Sequence, residues 1–409
     1  MKGLQLLATG GALPGRVVTN EDLSRQGDTS DEWITTRTGI RQRYYCTESE
    51  DAATLAIAAA RQALARSGLA ASEIACCVAA TLSAPTATPS VACRVQAALG
   101  LPENRPAFDV NAACSGFIYA IAAAHGLLNT LGGRYALVIG CEALSHMVDP
   151  TDRTTCVLFG DGAGAAILEL AEDVPFAVTL GARGSEAIRV GGPAACDTAP
   201  ITMDGKAVFR FAVETMPRCL QTVLERSQKT LDDLDWVVCH QANSRIIDHC
   251  IKHLHAEPSK FYKNMDRHGN TSAASIPIAL HEMVENDLKI NYRDDEIATL
   301  DVSTFTSAYN TMLIRIKKSY PKSRIICILP YYTSEYEAKD SQITQMVDMD
   351  RTDTYDEIIK QICALHRVSY VDLREAGIPK CSYKKYLPDN LHPNPKGMEI
   401  IFEEVNKMF

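Results

Sequence analysis

Along the first 285 residues, short apolar runs alternate with alanine-rich stretches of helical spacing. Residues 75–80 (Ala-Cys-Cys-Val-Ala-Ala), 135–140 (Tyr-Ala-Leu-Val-Ile-Gly) and 165–170 (Ala-Ala-Ile-Leu-Glu-Leu) are almost wholly apolar. Runs of that length suit strands buried on both faces. Residues 50–67 and 89–99 predict helices between them. Strands alternating with helices predict a layered α/β fold with mostly parallel strands.

Three further segments place chemistry-bearing residues at junctions. Residues 106–110 read as extended and lead to Cys114, after which 115–128 is an apolar small-residue helix. Residues 237–243 (Val-Val-Cys-His-Gln-Ala-Asn) predict a strand running into a polar turn. Residues 269–275 (Gly-Asn-Thr-Ser-Ala-Ala-Ser) predict a polar turn that opens a helix over 276–284. A cysteine at a helix N-terminus has backbone N–H groups and the positive dipole end beside it, which favours thiolate, the nucleophilic form. A cysteine with a distant His and Asn is a recognised arrangement for thiol catalysis, its partners adjacent in space rather than in sequence. Blander readings stand beside this one: a small buried hydrophobe for Cys114, a structural His240, and a helix-capping Asn270.

Composition narrows the class. The 409 residues, 46% hydrophobic and 22% charged, fit a globular chain of several domain-sized units. Fourteen cysteines include no C-x-x-C pair, which argues against a disulfide scaffold or structural metal and for a reducing, cytoplasmic setting. The N-terminal apolar run breaks at Gly10-Gly11, too soon for a signal peptide, and no stretch predicts a membrane span. A net charge of −9 disfavours nucleic acid as a partner. Arg245, Lys252, Lys260, Lys263 and Arg267 still make a local basic window, offset by Asp248, Glu257 and Asp266, which is a solvated helix face or a dock for an acidic partner.

Composition changes abruptly near residue 285. Residues 1–285 hold 46 alanines, 18 arginines and 6 lysines, against 5, 6 and 11 in residues 286–409, which also carry 10 of the 15 tyrosines. Such a switch marks a junction between stretches of different origin. The tail has its own α/β rhythm: helices over 307–320, 355–366 and 396–408, and strands over 324–329 and 368–373. Asp161-Gly162-Ala163-Gly164 is too short for a phosphate loop and predicts a tight turn.

Residues 28–34 (Asp-Thr-Ser-Asp-Glu-Trp-Ile) with Arg37-Thr38-Gly39-Ile40, Asp152-Arg153 with 158–164, and Met203-Asp204-Gly205 with Phe209 and Phe211 add to the Cys114, His240 and Asn270 segments. In that order they resemble β-ketoacyl-acyl-carrier-protein synthase III, a family of thiolase-fold condensing enzymes, over residues 1–285. The resemblance implies a thiolase-like αβαβα fold, with a nucleophile-bearing half over 1–172 and a truncated second half over 173–285. It implies decarboxylative Claisen condensation of an acyl-CoA primer with malonyl-acyl-carrier-protein, by a homodimer that needs no metal or redox cofactor. Cys114, His240 and Asn270 would then be catalytic, with the Cys114 N–H in an oxyanion hole. Trp33, Arg37 and Arg153 would hold the CoA adenine and phosphates. Thr29 and Phe209 belong to the same CoA and pantetheine site, Asn243 would line the pantetheine tunnel, and Arg245 would dock the carrier protein. Thr88 stands where short-primer members often carry Phe, so the acyl pocket is expected to be open.

Residues 286–409 resemble the C-terminal half of an SGNH-type hydrolase. Asp389 and His392 match that family's acid and base, and Asn286-Asp287 the end of its Gly-x-Asn-Asp block. Its Gly-Asp-Ser nucleophile block is absent from the tail, which leaves His392 an orphan base and the tail catalytically silent. The synthase family closes with two strands and a glycine-rich turn that donates to the oxyanion hole. After Gly269 this chain has only Gly377 and Gly397, and residues 297–302 are the one replacement strand on offer. Loss of such a donor costs about 100–1,000-fold in rate, so condensation is expected to be weak. The rival readings are a thiolase-fold acyltransferase of polyketide or quinolone synthesis, an esterase acting through the tail, and an inactive fusion product. A thiolytic enzyme is disfavoured, since no late Cys-x-Gly motif supplies its second cysteine.

Overall fold

The structure, a computed structural model, describes residues 2–191, 199–286, 288, 326–329, 360, 363 and 369–372. The chain divides into two compact units, residues 1–298 and 299–409. In the first unit the chain order is β1 (Gly3–Ala12), β2 (Arg16–Thr19), α1 (Asn20–Ser24), α2 (Asp31–Thr38), β3 (Gln42–Tyr45), α3 (Ala52–Ser67), β4 (Ile74–Ala80), α4 (Val91–Leu99), β5 (Ala107–Val110) and α5 (Gly116–Leu131). It continues with β6 (Tyr135–Glu142), β7 (Gly162–Ala171), β8 (Ile188–Arg189), β9 (Thr202–Met203), α6 (Gly205–Ser227), α7 (Ser244–Leu254), α8 (Met265–His268) and α9 (Ser275–Glu285).

Five strands form one sheet in the order β1-β7-β6-β4-β5. β4 pairs in parallel with β5 and β6, and β7 runs antiparallel to both β6 and β1. Every residue of β4 and β6 is buried, as expected of strands covered on both faces. Their alternation sorts side chains into two cores. Cys77, Ala79, Leu137 and Ile139 face α3 and α4, whereas Cys76, Val78, Ala136 and Val138 face α5 and α9.

α3 starts where the Asp51 carboxylate accepts from the Thr54 N–H and the Thr54 hydroxyl accepts from the Asp51 N–H, and it stops at Gly68 in the left-handed region. Both ends follow the usual capping chemistry. Helix, sheet and helix thus make three layers. α5 with its preceding turn, Ala113–Leu131, is long and apolar enough to cross a membrane, contrary to the sequence expectation. In this fold it lies along the sheet through Phe117, Ala120, Ala124 and Leu128.

The second half, from residue 173, is thinner than the first. The strand expected over 237–243 reduces to one isolated bridge, Val237 to Phe261. A strand needs a partner along its length for its N–H and C=O groups, and among the described residues 237–243 has none beyond that bridge. β8 and β9 form only a two-residue pair. The turn expected at 161–164 is instead the start of β7. Gly164 is there for close approach, since a Cβ would lie 2.5 Å from the Pro277 carbonyl carbon and 2.6 Å from the Ile278 nitrogen.

In the second unit β10 (Ile326–Leu329) and β11 (Ser369–Asp372) pair in parallel, within the strands expected over 324–329 and 368–373. Of the helix expected over 355–366 only Lys360 and Cys363 are described, and both are helical; the tail helices expected over 307–320 and 396–408, the strand over 297–302, and Asp389 and His392 lie outside the described residues.

Candidate active site

Cys114 occupies a short 3-10 turn, Ala113–Ser115, that delivers β5 into α5. Ala113 before it has φ +44°, a left-handed bend that turns the chain sharply at the nucleophile. Opposite stands a second 3-10 turn, Ser272–Ala274, which leads into α9. A Cβ on Gly116 would meet the Ala273 Cβ at 3.3 Å, and one on Gly140 would meet the Ala273 carbonyl oxygen at 2.2 Å. Gly140 therefore lets the 270–275 loop lie directly on the sheet.

That loop ties the three expected catalytic residues to one region. The Asn270 backbone N–H donates to Leu158 O at 2.8 Å, and its carbonyl accepts from the Gly160 N–H at 3.0 Å. Asn270 Oδ1 accepts from the Ser272 N–H at 2.9 Å, which leaves the Nδ2 protons for a ligand among the described residues. Ser272 faces Cys114 closely enough to influence its ionisation. Directly after the Ser272–Ala274 turn, Ser275 Oγ contacts His240 Nδ1 at 2.6 Å and accepts from the Gln241 N–H at 3.3 Å.

The Ser275 hydroxyl holds Nδ1 and leaves Nε2 as the ring nitrogen free to meet a ligand; where the hydroxyl donates to Nδ1, the ring proton is on Nε2. Burial holds the His240 pKa down at about 4, which keeps the ring neutral near pH 7.

Cys114 departs from the sequence expectation of a favoured thiolate. Burial pushes the Cys114 thiol up to about 11, with the Glu142 charge adding to the rise. The Ser272 hydroxyl and the Cys114 backbone N–H work against it. Desolvation outweighs the helix terminus here, although Cys114 is only half-buried against the facing turn. At rest Cys114 is a thiol.

The second group of expected residues clusters at α2. The Arg37 and Arg153 guanidinium carbons lie 4.5 and 5.3 Å from the centre of the Trp33 ring, within cation–π range. Arg153 also bonds the Asp28 carbonyl at 2.8 Å and its carboxylate at 3.0 Å. Next to Asp28, the Thr29 hydroxyl is buried without a hydrogen-bond partner. Asn243 caps α7 by accepting from the Arg245 N–H at 2.9 Å, and donates to Arg37 O at 3.0 Å. Arg245 is exposed, with its guanidinium carbon 5.7 Å from the Phe209 ring centre. The wider basic window is less available than its sequence suggests. Lys263 pairs with Asp248, Arg267 with Glu282 and Asp266, and Lys260 donates to the Leu231 and Asp232 carbonyls.

Sequence reasoning missed Glu142, Ser272 and Ser275. Glu142 had a visible cue, a lone carboxylate closing an otherwise apolar strand. The two serines had none beyond their place in a polar turn. Eleven cysteines among the described residues are free thiols, and among the described residues no three His, Cys, Asp or Glu side chains converge as a metal site.

A cysteine thus stands at the head of the helix that covers the sheet, facing a loop that carries an amide and is bonded through Ser275 to a neutral imidazole, in a layered α/β fold of thiolase type. Residues 108–184 match the 3-oxoacyl-[acyl-carrier-protein] synthase III family, and 224–297 match its C-terminal region. The β-ketoacyl-[acyl-carrier-protein] synthase III of Neisseria meningitidis is 44% identical over 288 residues, 68% of this chain and 90% of that protein. That of Erythrobacter litoralis is 46% identical over 287 residues, 68% of this chain and 89% of that protein. The solved 3-oxoacyl-[acyl-carrier-protein] synthase III of Aquifex aeolicus superposes with a TM-score of 0.66 at 41% identity, covering 70% of this chain and 92% of its own. The chain belongs to the β-ketoacyl-acyl-carrier-protein synthase III family. Its residues 285–400 match a different family, the GDSL-like lipase/acylhydrolases.

Proposed function

We propose that the chain condenses an acyl-CoA primer with malonyl-acyl-carrier-protein to begin a fatty-acid chain. The observation that carries this reading is the 270–275 loop, which presents Asn270 and fixes His240 through Ser275 while packing on the Cys114 turn. The CoA nucleotide lies against Trp33, Arg37 and Arg153, with Thr29 beside them, where stacking and charge-assisted bonds suit an adenine and phosphates. Its pantetheine arm runs past Phe209 and Asn243 towards Cys114. The carrier protein, acidic by class, meets exposed Arg245.

In the first half-reaction the Cys114 sulfur attacks the primer thioester. The new S–C bond forms, the C–S bond to CoA breaks, and the thiol proton leaves with the CoA sulfur. In the second, the malonyl carboxylate departs as CO₂ and the freed electron pair becomes an enolate. The His240 Nε2–H and Asn270 Nδ2–H donate to the enolate oxygen as its charge grows. The enolate carbon then attacks the acyl-Cys114 carbonyl, which releases the Cys114 sulfur to take up a proton.

Incubation of the full chain with acyl-CoA, followed by peptide mass spectrometry, should find the acyl group on Cys114. His240→Ala and Asn270→Ala should leave that adduct in place and lower condensation with malonyl-acyl-carrier-protein by about 100–1,000-fold. An acyl group on any other cysteine, or condensation that survives Cys114→Ala, refutes the assignment. The tail takes no part in this chemistry, and the functional unit is a homodimer in a reducing compartment.

A further inference from the structure

Glu142 ends β6 and is completely enclosed. Its carboxylate accepts from the Ser83 hydroxyl at 2.5 Å, the Leu82 N–H at 3.2 Å and the Thr81 hydroxyl at 3.3 Å, all just past the end of β4. From the other side it meets the Ser272 hydroxyl and the Ala273 N–H of the loop that faces the nucleophile. Glu142 is thus the joint between the sheet and that loop.

Ser272 is unusual in two respects. Its φ is +47°, a conformation that favours glycine, yet the residue keeps a side chain. Its hydroxyl is buried and completes no full hydrogen bond, a costly arrangement for a polar group. It lies beside two groups that can carry negative charge, the Cys114 sulfur and the Glu142 carboxylate. One hydroxyl proton therefore has two acceptors. When Cys114 is a thiol, the charged partner is Glu142; when the sulfur is a thiolate, it competes for the same proton.

We infer that Ser272 and Glu142 are positioning residues for the nucleophile: the Ser272 hydroxyl donates to the Cys114 thiolate, and Glu142 holds the turn that aims it. The inference rests on Cys114 as the nucleophile. Burial places the Glu142 carboxyl at about 7, so its charge is not fixed near neutrality. A charged Glu142 opposes the thiolate, while Ser272 favours it. The other ionisable groups here are Cys141 on β6, Asp109 on β5, which faces Cys141, and His240 across the loop. A purely structural pair would leave the Cys114 ionisation alone. This pair pulls it in opposite directions.

The test is the pH dependence of Cys114 alkylation by iodoacetamide in the full chain, read on the Cys114 peptide by mass spectrometry without substrate. Ser272→Gly suits the left-handed backbone and removes the hydroxyl together with its Cβ, so the midpoint should rise and alkylation below it should slow. Glu142→Gln keeps the shape and loses the charge, so the midpoint should fall and alkylation should quicken. Each unit of displacement reads as about tenfold in rate below the midpoint. Glu142→Asp should stay near the parent. Midpoints that do not move in folded variants, or that move the same way in both, overturn the inference. Opposite shifts in a chain that never condenses would count against the synthase reading and leave this one standing.

Discussion

Glu282 offers the clearest quantitative test of how the site is held. It sits on α9 and binds backwards onto the segment that delivers Asn270. Its carboxylate accepts from Arg267 Nη2 at 2.6 Å and Nε at 2.9 Å, from Asn264 Nδ2 at 2.7 Å, and from His268 Nε2 at 3.2 Å. Burial alone would raise this carboxyl; hydrogen bonds from His268 and Asn264 and the pull of His268 and Arg267 hold it at about 2, against an ordinary 4.5. At 1.36 kcal/mol per tenfold, that depression corresponds to about 3 kcal/mol of stability at neutral pH. Because the folded-state pKa is depressed, the contribution is complete above about 4.5 and fades as pH falls towards 2. Glu282→Gln should therefore unfold in less urea than the parent by a margin that is flat from neutral pH to about 5. The margin should close in acid. Both tryptophans, Trp33 and Trp236, lie in the first unit, so their fluorescence reports its unfolding. A loosened 264–270 segment should also slow condensation while Cys114 acylation holds. Equal urea midpoints at neutral pH, or a margin that persists undiminished in acid, would refute the reasoning.

Glu142 titrates with the opposite sign. Its folded-state pKa is raised to about 7, so charging it costs stability progressively as pH climbs from about 4.5 through 7, and Glu142→Gln should gain on the parent over that span by on the order of 3 kcal/mol, as urea titrations at a series of pH values would show. Ser275→Ala removes the hydroxyl bonded to His240 Nδ1, and condensation should fall about fivefold, the worth of one neutral hydrogen bond, while the Cys114 acyl adduct still forms; unchanged condensation kinetics would show that the serine does not orient the ring. Replacing residues 286–409 with the closing segment of a synthase relative should raise condensation by about 100-fold, the scale of one oxyanion donor. Equal rates before and after the exchange would mean that the chain's own tail supplies what the missing turn does not.

The first three layers were legible in the sequence because their signals are local. Near-continuous apolar runs marked β4, β6 and β7, and alanine-rich segments marked α3 and α4, to within a few residues at each end. The segment at 237–243 was not legible, since its composition suits a strand and its failure to form one depends on partners elsewhere in the chain. Gly162 and Gly164 read as a turn for a related reason: their purpose is to let α9 approach β7, which no local pattern encodes. Cys114, His240 and Asn270 were visible as residue types at element junctions. The protonation state of Cys114 was not, because a helix terminus can be seen in sequence while the packing that desolvates the sulfur cannot.

The two donors proposed for the enolate are held by different parts of the molecule. Asn270 belongs mechanically to the first half: its backbone is bonded on both sides to 158–160, its loop lies on the sheet over Gly140, and Glu282 braces the segment before it. His240 follows a stretch whose only described ladder contact is the bridge at Val237; Ser275 holds its ring, and the neighbouring Gln241 ties the chain to Tyr262 and Asn264. The sparse ladder around 237–243 therefore falls on the imidazole more than on the amide. In the proposed chemistry, acylation calls on Cys114 and the α2 cluster with its short α2–α7 contact, and condensation calls on His240 as well. On that proposal, the step that makes the carbon–carbon bond depends on the less braced of the two donors, His240.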